Sequence, residues 1–376
     1  MLKVGMRMIK AKILGQHWVT AGGALQGRML QASLKAGVDL RVNSKVTGFI
    51  QDETGAVKGV ITEKDGKPWR VGANLGVLVN AGGFSHNQEM RDKYQPGTSA
   101  KWTAATPGST GEMILTMNRI GAALGQMEEM VGNQMTIPPG KENQGNGVAL
   151  GELAGGQTHY AKPHSIVVDQ SGVRYMNEGG SYMEFCQNML KRDKIVPAVH
   201  SWWIGDQKGR DDYHGGNPPK DWLESGFFKR ADTIEGLADQ IGVDPKVLRG
   251  TIDKFNADAR AGVDSEFGRG NRAYDNFLGN FHRKDGSHTL GPIETGPFYA
   301  APVVPGDVGT YGGVVTDENA RVLREDGSWI EGLYATGIST ASVMGRIYPG
   351  AGSSVGPSFV FGWIAAKHAA NASNIA

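Results

Sequence analysis

The chain has 376 residues, of which 56 are glycine, about twice the usual share of ~7%. Because the glycines follow no collagen-like period and only 16 prolines accompany them, the composition excludes a collagen-like fibre and a low-complexity linker. The net charge of +1 excludes strong bulk attraction to nucleic acid or anionic membranes, and the single cysteine excludes an internal disulfide and a cysteine-based metal cluster.

The first part of the chain alternates helix and strand patterns. Apolar spacing predicts a helix over 21–36 that ends at Gly37. Extended segments over 39–73, separated by turn residues, predict a small antiparallel meander. The apolar run over 75–80 leads into Ala81-Gly82-Gly83, which predicts a buried parallel strand whose carboxyl end approaches a ligand. Another helix is predicted to begin at Thr110.

The second part begins with irregular loops, short strands and aromatic-rich stretches from about residue 140 to 305. Within it, residues 237–261 have helical spacing, and Asp244-Pro245 is typical of a helix start. Residues 312–337 then predict a hairpin that closes into a short buried strand. A last helix is expected to begin near Gly356-Pro357. Two domains are the expectation for this length, at roughly 100–200 residues per domain.

The glycine pattern just before the last helix is the first indication of a ligand. No glycines have the G-x-G-x-x-G spacing of a dinucleotide turn; the nearest pattern is Gly350-x-Gly352-x-x-x-Gly356. Alone, this pattern favours an ordinary glycine-rich turn. However, backbone N–H groups at a helix start favour negative charge, and glycine allows a flat ligand close to the backbone. The pattern therefore fits an isoalloxazine ring, which gains electron density on reduction.

Four segments carry a more specific resemblance. Residues 332–369, with the run GLYATGISTASVMGRIYPGAGSSVGPS, resemble the C-terminal flavin segment of the FAD-dependent 3-ketosteroid Δ1-dehydrogenases. These enzymes belong to the fumarate reductase/succinate dehydrogenase flavoprotein superfamily. Residues 78–96, 106–128 and 164–178 match the same family in the same order. The chain is therefore similar to this family over nearly its whole length.

The resemblance implies an α/β flavoprotein with FAD as cofactor. The strand, G-x-G-x-x-G turn and helix that open the family's fold are not found in this sequence. We therefore expect an incomplete FAD-binding Rossmann-like domain, from a member truncated at its N-terminus, with an inserted α+β substrate domain. The expected FAD domain comprises residues 1–140 and 310–376, and the expected substrate and catalytic domain comprises residues 141–309.

The resemblance also implies which residues contact the cofactor. They are small or hydroxyl-bearing residues at two strand ends and at the start of the last helix. The expected set is Ala81, Gly82, Gly83, Ala335, Thr336, Gly337, Gly350, Ser353, Ser354 and Val355.

Three catalytic residues follow from the same resemblance. Dehydrogenation beside a ketone needs a base for the acidic proton, donors for the enolate oxygen and a hydride acceptor. In the family, a tyrosine of a Y-P-G-x-G motif and the amide of its last glycine hold the carbonyl oxygen; here they are Tyr348 and Gly352. The family's base is a tyrosine four residues after the glutamate of an F/Y-x-N-E motif. In this chain that glutamate is Glu178, so the corresponding tyrosine is Tyr182. A tyrosine base needs a lowered pKa or a proton relay. The family's helper tyrosine lies in its N-terminal region, which we expect to be missing from this truncated member.

The expected substrate is a small apolar ketone such as a 3-ketosteroid, oxidised at its 1,2 bond with electrons passed to a further acceptor. An alternative within the superfamily is a fumarate-reductase-like enzyme for dicarboxylates, which clamps substrate carboxylates with histidine and arginine. Those enzymes carry the two histidines in a P-G-x-H-H-T-x-G-G stretch, and the matching residues 305–313 of this chain have neither histidine. Arg346, however, lies close in sequence to Gly350 and Gly352. A second alternative is a catalytically inactive, flavin-free fragment, because a turn for the diphosphate is missing.

The remaining sequence features are expected to be structural. No histidine spacing indicates a metal site, so none is expected. His164 is expected either to line the substrate cleft or to hydrogen-bond the backbone. Trp202 and Trp203 are expected to pack in the core rather than to form an apolar wall for the substrate. Cys186 is expected to be a packing residue. No apolar run approaches the ~20 residues that span a bilayer, and with a single cysteine a cytoplasmic location is expected.

Overall fold

A computed structural model describes residues 2–19, 21–64, 66–138, 140, 160–214, 216–280, 282–284 and 286–372. These residues fall into two compact units, one of residues 1–46 and 62–69 and the other of residues 47–61 and 70–376. The expected domain boundary at residue 141 lies outside the described residues, and the division into an FAD domain and an inserted domain stays a prediction.

The first unit contains two helices, α1 (Leu2–Ile13) and α2 (Ala21–Lys35). Helix α2 confirms the helix predicted over 21–36, whereas α1 was not predicted. The first unit also holds a contact between Arg41 and Trp69, in which the guanidinium lies 4.5 Å from the centre of the indole ring. Such a contact contributes little at an exposed site.

The strands follow the chain in this order: β1 (Val46–Gln51), β2 (Val57–Lys64), β3 (Lys67–Gly72), β4 (Val77–Val79), β5 (Leu124–Gly125), β6 (Met130–Met135), β7 (Ser165–Val168), β8 (Ser201–Asp206), β9 (Lys229–Ala231), β10 (Phe298–Thr310), β11 (Gly313–Val314), β12 (Arg321–Leu323) and β13 (Trp329–Ala335). The remaining helices are α3 (Gln88–Tyr94), α4 (Glu112–Arg119), α5 (Tyr182–Asp193), α6 (Gln207–Tyr213), α7 (Lys220–Glu224), α8 (Ile234–Ile241), α9 (Pro245–Ala261), α10 (Ala273–Leu278) and α11 (Val355–Ala372).

The long strand β10 organises the larger unit. Its first half pairs antiparallel with β8, with Ala300 opposite Ile204, and also with β9. Its second half pairs antiparallel with β6, with Val304 opposite Met135. The sheet order is β6-β10-β8-β7, so β10 lies between β6 and β8, and it ends at Thr310. The end of β10 is where the candidate site lies.

A second sheet has the order β12-β13-β4, and β4 is parallel to β13, with Val79 opposite Ala335. The parallel pairing and the β12–β13 hairpin confirm the sequence predictions. The prediction that β4 is buried was wrong, because Leu78 is 42% exposed. The physical reason is that β4 lies at the edge of its sheet, where none of the described strands pairs with its outer side.

Local sequence explains the helix ends. The Asp244 carboxylate caps α9 by accepting from the N–H of Lys246, and Pro245 occupies its first turn. Gly242 ends α8 with a left-handed backbone, so residues 234–261 form two helices. Strands β1, β2 and β3 pair in sequence order, as the predicted meander requires.

The cores of the larger unit are continuous apolar clusters. One contains Ile166, Leu237, Ile252 and Phe255, each 0% exposed, between the β10 sheet and helices α8 and α9. Another lies beside the β12-β13-β4 sheet and includes Met117 of α4. Within the described ranges, no helix is both long enough and apolar enough to cross a membrane.

Candidate functional site

Three tyrosines meet at the end of β10. The rings of Tyr182 and Tyr348 are 4.7 Å apart between centroids, and Tyr311 lies 6.1 Å from Tyr348. Tyr311 and Tyr348 are buried in one apolar cluster with Val131 and Met183, against which Tyr182 packs. The two tyrosines that the sequence singled out, 166 positions apart in the chain, are therefore neighbours.

Tyr182 is held by the start of α5. It is the first residue of that helix, directly after Ser181, whose hydroxyl accepts from the N–H of Glu184. Four residues before Tyr182, the carboxylate of Glu178 is fully buried and accepts hydrogen bonds from Arg174, Arg269 and the N–H of Val167. This network fixes the loop that precedes the helix.

The surroundings of Tyr182 favour its neutral form. Burial raises the pKa of Tyr182, and a hydrogen bond and charge repulsion from Tyr348 raise it further, with smaller effects of the same sign from Tyr274 and Tyr311. The positive end of α5 favours a phenolate by only ~0.3–1 kcal/mol, less than one pKa unit, so burial dominates. Tyr182 is therefore protonated near neutral pH, and a base role requires a proton relay or an alkaline pH.

Tyr348 lies in the segment between β13 and α11 and is 8% exposed. Arg346, two residues before Tyr348, forms an ion pair with the buried carboxylate of Glu129. The distance between Arg346 Nε and Glu129 Oε1 is 2.5 Å. The Arg346 carbonyl oxygen accepts from Nε2 of Gln187 on α5. The segment of Tyr348 is thus tied to the helix of Tyr182.

Gly352 follows Tyr348 in a turn that leads into α11. Its carbonyl oxygen accepts from the N–H of Gly356 at 2.7 Å, and the Ser353 hydroxyl donates to the Gly350 carbonyl at 2.6 Å. Gly352 has a φ of +99°, in the region that favours glycine. A Cβ built on Gly352 would meet no atom within 4 Å, so the strain of that φ, and not crowding, is what favours glycine at this position.

A cavity of about 670 Å³ lies between β13, the turn before α11 and the end of β10. This volume is in the usual range of ligand pockets, ~300–1,000 Å³. Five of the expected cofactor residues line the cavity: Ala335, Thr336, Gly337, Ser353 and Ser354. Their small side chains, the adjacent start of α11 and the apolar Phe361 and Ile364 provide both a flat wall and hydrogen-bond donors. These residues fit the ring system of a flavin.

The other expected cofactor residues lie beside this cavity wall. The Ser339 hydroxyl bonds the N–H of Ala81 and the carbonyl of Gly82, which joins the glycine turn after β4 to the turn after β13. A Cβ on Gly83 would lie 1.9 Å from the Thr310 hydroxyl, so a side chain does not fit at Gly83. Gly350 and Val355 flank the cavity-lining serines in sequence, and neither residue is among those that line the cavity.

Other residues weighed from the sequence lie elsewhere or have structural contacts. The His164 ring contacts the Pro292 carbonyl through Nδ1 at 2.7 Å, which agrees with the backbone-contact alternative. Trp203 is buried in the core beside Phe228. Burial raises the pKa of the Cys186 thiol, which packs against Gly132. Among the described residues, no group of His, Cys, Asp or Glu could hold a metal ion.

Sequence reasoning did not select Tyr311, which is 2% exposed and lines the cavity while its ring lies beside Tyr348. Burial raises its pKa, so it too is a neutral donor near pH 7. Its position directly before two glycines at the end of a long strand was the available signal. Ile338 also lines the cavity and offers it an apolar side chain.

Comparison with known proteins agrees with this geometry. The sequence profile of the FAD binding domain family matches residues 8–355. The chain is 37% identical to 3-oxosteroid 1-dehydrogenase of Mycobacterium tuberculosis over 98% of this chain and 66% of the relative. It is 35% identical to 4-oxocyclohex-2-ene-1-carboxylate 5-dehydrogenase of Sinomonas cyclohexanicum, over 93% of this chain and 60% of the relative.

A crystal structure of 3-ketosteroid delta1-dehydrogenase from Sterolibacterium denitrificans, in complex with 1,4-androstadiene-3,17-dione, superposes with a TM-score of 0.83 at 36% identity. The match covers 91% of this chain and 61% of that structure. The chain therefore spans 60–66% of the length of these three relatives. The fold and the resemblance expected from sequence are confirmed, and the cofactor is FAD. The chain belongs to the FAD binding domain family of flavoproteins and is similar to its 3-oxosteroid 1-dehydrogenases.

Proposed function

We propose that the chain provides the catalytic centre of a flavin-dependent dehydrogenase that introduces the 1,2 double bond of a 3-ketosteroid or a similar cyclic ketone. The observation that carries this proposal is the pair of adjacent tyrosines, Tyr182 and Tyr348, close to a cavity that fits a flavin ring. The names of the relatives, which act on steroid and cyclohexane ketones, support the same substrate class.

The residues would divide the chemistry between them. The Tyr348 hydroxyl and the Gly352 N–H would donate to the C3 carbonyl oxygen and stabilise the enolate that develops there. Tyr182 would remove the C2 proton, which the polarised carbonyl makes acidic. Bound FAD supplies the acceptor for the hydride from C1, and a further electron acceptor completes turnover.

Tyr182 and Tyr348 also have to exchange protons with their surroundings. Because the pKa of Tyr182 is raised by burial and by Tyr348, its proton must leave through a hydrogen-bonded path before it can act as a base. Tyr182 is only partly buried, so its solvent-facing side offers such a path through water. This supports an alkaline optimum for the reaction.

A dicarboxylate substrate is less well supported. Arg346, the arginine nearest to the site glycines in sequence, is engaged with Glu129. Val308 and Gly309 stand where the dicarboxylate motif has two histidines, and neither can bind a carboxylate through its side chain. An anionic substrate would therefore lack the bidentate partners that it needs in a buried site.

The test is Tyr348→Phe, assayed as steroid-dependent reduction of an artificial electron acceptor. Loss of one donor to a developing oxyanion typically lowers kcat by ~10²–10³. Tyr334→Phe is the matched control, because the Tyr334 hydroxyl bonds His368 and does not line the cavity. Equal turnover of Tyr348→Phe and the wild type would refute the assigned role of Tyr348.

The flavin requirement is tested separately by the visible absorbance of the purified chain before and after addition of FAD. We expect a bound-flavin spectrum. A chain that stays colourless with excess FAD would instead support the flavin-free alternative.

A further inference from the structure

Glu129 is a buried carboxylate that reaches two segments of the site. It lies directly before β6 and is 3% exposed. Its Oε2 accepts from Nε2 of Gln187 at 2.9 Å, while its Oε1 lies 2.5 Å from Nε of Arg346. The same Gln187 amide also donates to the Arg346 carbonyl oxygen at 3.1 Å. The three residues Glu129, Gln187 and Arg346 form a closed set of contacts, one of them to the Arg346 backbone, which we call the Glu129 clamp.

The partners of Glu129 belong to the segments that carry the tyrosines. Gln187 is on α5, five residues after Tyr182, and Arg346 is two residues before Tyr348. The backbone carbonyl of Glu129 also accepts from the N–H of Tyr311 at 2.9 Å. One residue therefore contacts the three segments from which the tyrosine cluster is built.

The energetics of the clamp argue against a mainly stabilising role. Burial of a carboxylate is costly unless the charge is well paired. The partner of Glu129, Arg346, has a side chain that is 73% exposed, and ion pairs with so exposed a partner contribute little to folding. A neutral side chain of the same shape would be the less costly choice for stability alone. The geometry instead gives the buried carboxylate one contact to each tyrosine-bearing segment, a hydrogen bond from Gln187 and an ion pair with Arg346.

We propose that Glu129 is a positioning residue that sets the distance and orientation between Tyr182 and Tyr348 by holding α5 against the segment of Arg346. This inference rests on the proposed function, since it assigns the clamp to the geometry of the proton acceptor and the carbonyl donor. It also gives Arg346 a role in holding the site, in place of a role in binding a substrate carboxylate.

The test compares Glu129→Gln and Arg346→Met with the wild type. Misplacement of catalytic groups by 1 Å can cost ~10²-fold, so we expect kcat to fall by about tenfold to a hundredfold in each variant. KM for the steroid should change by less than about threefold, because the proposal gives no clamp side chain a contact with the substrate. The double variant should lose no more activity than Glu129→Gln alone, since Arg346→Met breaks only the ion pair that Glu129→Gln already removes. Arg346→Lys should recover part of the loss.

Amide hydrogen exchange provides a readout that needs neither flavin nor turnover. In Glu129→Gln, peptides covering 182–187 and 342–350 should exchange faster, while the distant helix α9 exchanges as in the wild type. Glu235→Gln is the matched control, because the Glu235 carboxylate pairs with Arg249 on the surface away from the tyrosines.

The outcomes separate the two proposals. A wild-type chain that carries FAD but has no steroid-dependent turnover would refute the proposed function, and the exchange measurement would still decide whether the clamp holds the two segments. Unchanged exchange in Glu129→Gln, or an active variant with the kcat of the wild type, would overturn the positioning role.

Discussion

Replacement of Glu178 by glutamine should destabilise the larger unit strongly. Glu178 and Asp264 face Arg174 and Arg269, and all four side chains are no more than 1% exposed. These four buried groups carry two positive and two negative charges, so Glu178→Gln leaves an excess of +1 among them, with only the partly exposed Glu266 carboxylate, 3.9 Å from Arg174, nearby. Breaking a buried ion pair in this way costs ~3–5 kcal/mol of the free energy of unfolding. That is a large part of the ~5–15 kcal/mol that stabilises a typical protein.

Hydrogen-bond geometry adds to the electrostatic cost. The two carboxylate oxygens of Glu178 accept four hydrogen bonds, and two of them, from Arg174 and Arg269, reach Oε2. A glutamine has one acceptor oxygen, so its amide nitrogen would face donors on at least one side. The loop that leads to Tyr182 would lose its anchor at the same time.

The assay is urea unfolding followed by tryptophan fluorescence, with Glu235→Gln as control. The control makes the same chemical change, also in a pair with arginine, but its carboxylate is exposed and should leave the unfolding midpoint unchanged. We expect the midpoint of Glu178→Gln to fall well below that of the control. Coinciding midpoints would refute the claim that the buried cluster stabilises this part of the chain.

Three further predictions follow from the site and its supports. Because burial raises the pKa of Tyr182, steroid-dependent turnover should rise with pH from 7 towards ~10, the usual tyrosine pKa; a flat profile would contradict the base role. Burial alone would raise the pKa of Glu178, but Arg174 and Arg269 together lower it, so its contribution to stability is present above ~4.5 and is lost as the pH falls below that value; a urea midpoint unchanged between pH 7 and 4 would contradict this. Gly83→Ala should destabilise the fold by ~1–3 kcal/mol because its Cβ would collide with the Thr310 hydroxyl, and Thr310→Ala should relieve part of that loss in thermal unfolding.

Local patterns were sufficient to predict several elements. Helical spacing and a glycine stop located α2, and Asp244-Pro245 located the start of α9. The small residues after β13 and before α11 were expected to face a ligand, and several of them line the observed cavity. These features depend on neighbours in the sequence, which is why the sequence alone indicates them.

Contacts between distant segments could not be predicted in this way. Arg91 and Asp307 form a fully buried ion pair, although both residue types are usually solvated and they lie 216 positions apart. The clamp between Glu129 and Arg346 has no local signature either. Tyr311 joins the tyrosine cluster only because the end of β10 brings it beside Tyr348. The exposure of Leu78 depends on the edge position of β4 in its sheet, which no local pattern reveals.

The most direct test of the proposed chemistry is anaerobic mixing of the FAD-containing chain with a 3-ketosteroid that is saturated at the 1,2 bond. We predict loss of the visible flavin absorbance in the wild type and a much slower loss in Tyr182→Phe, because that variant lacks the proton acceptor. Unchanged flavin absorbance in the wild type, or equal rates of loss in both proteins, would contradict the proposal that this tyrosine site dehydrogenates a ketosteroid.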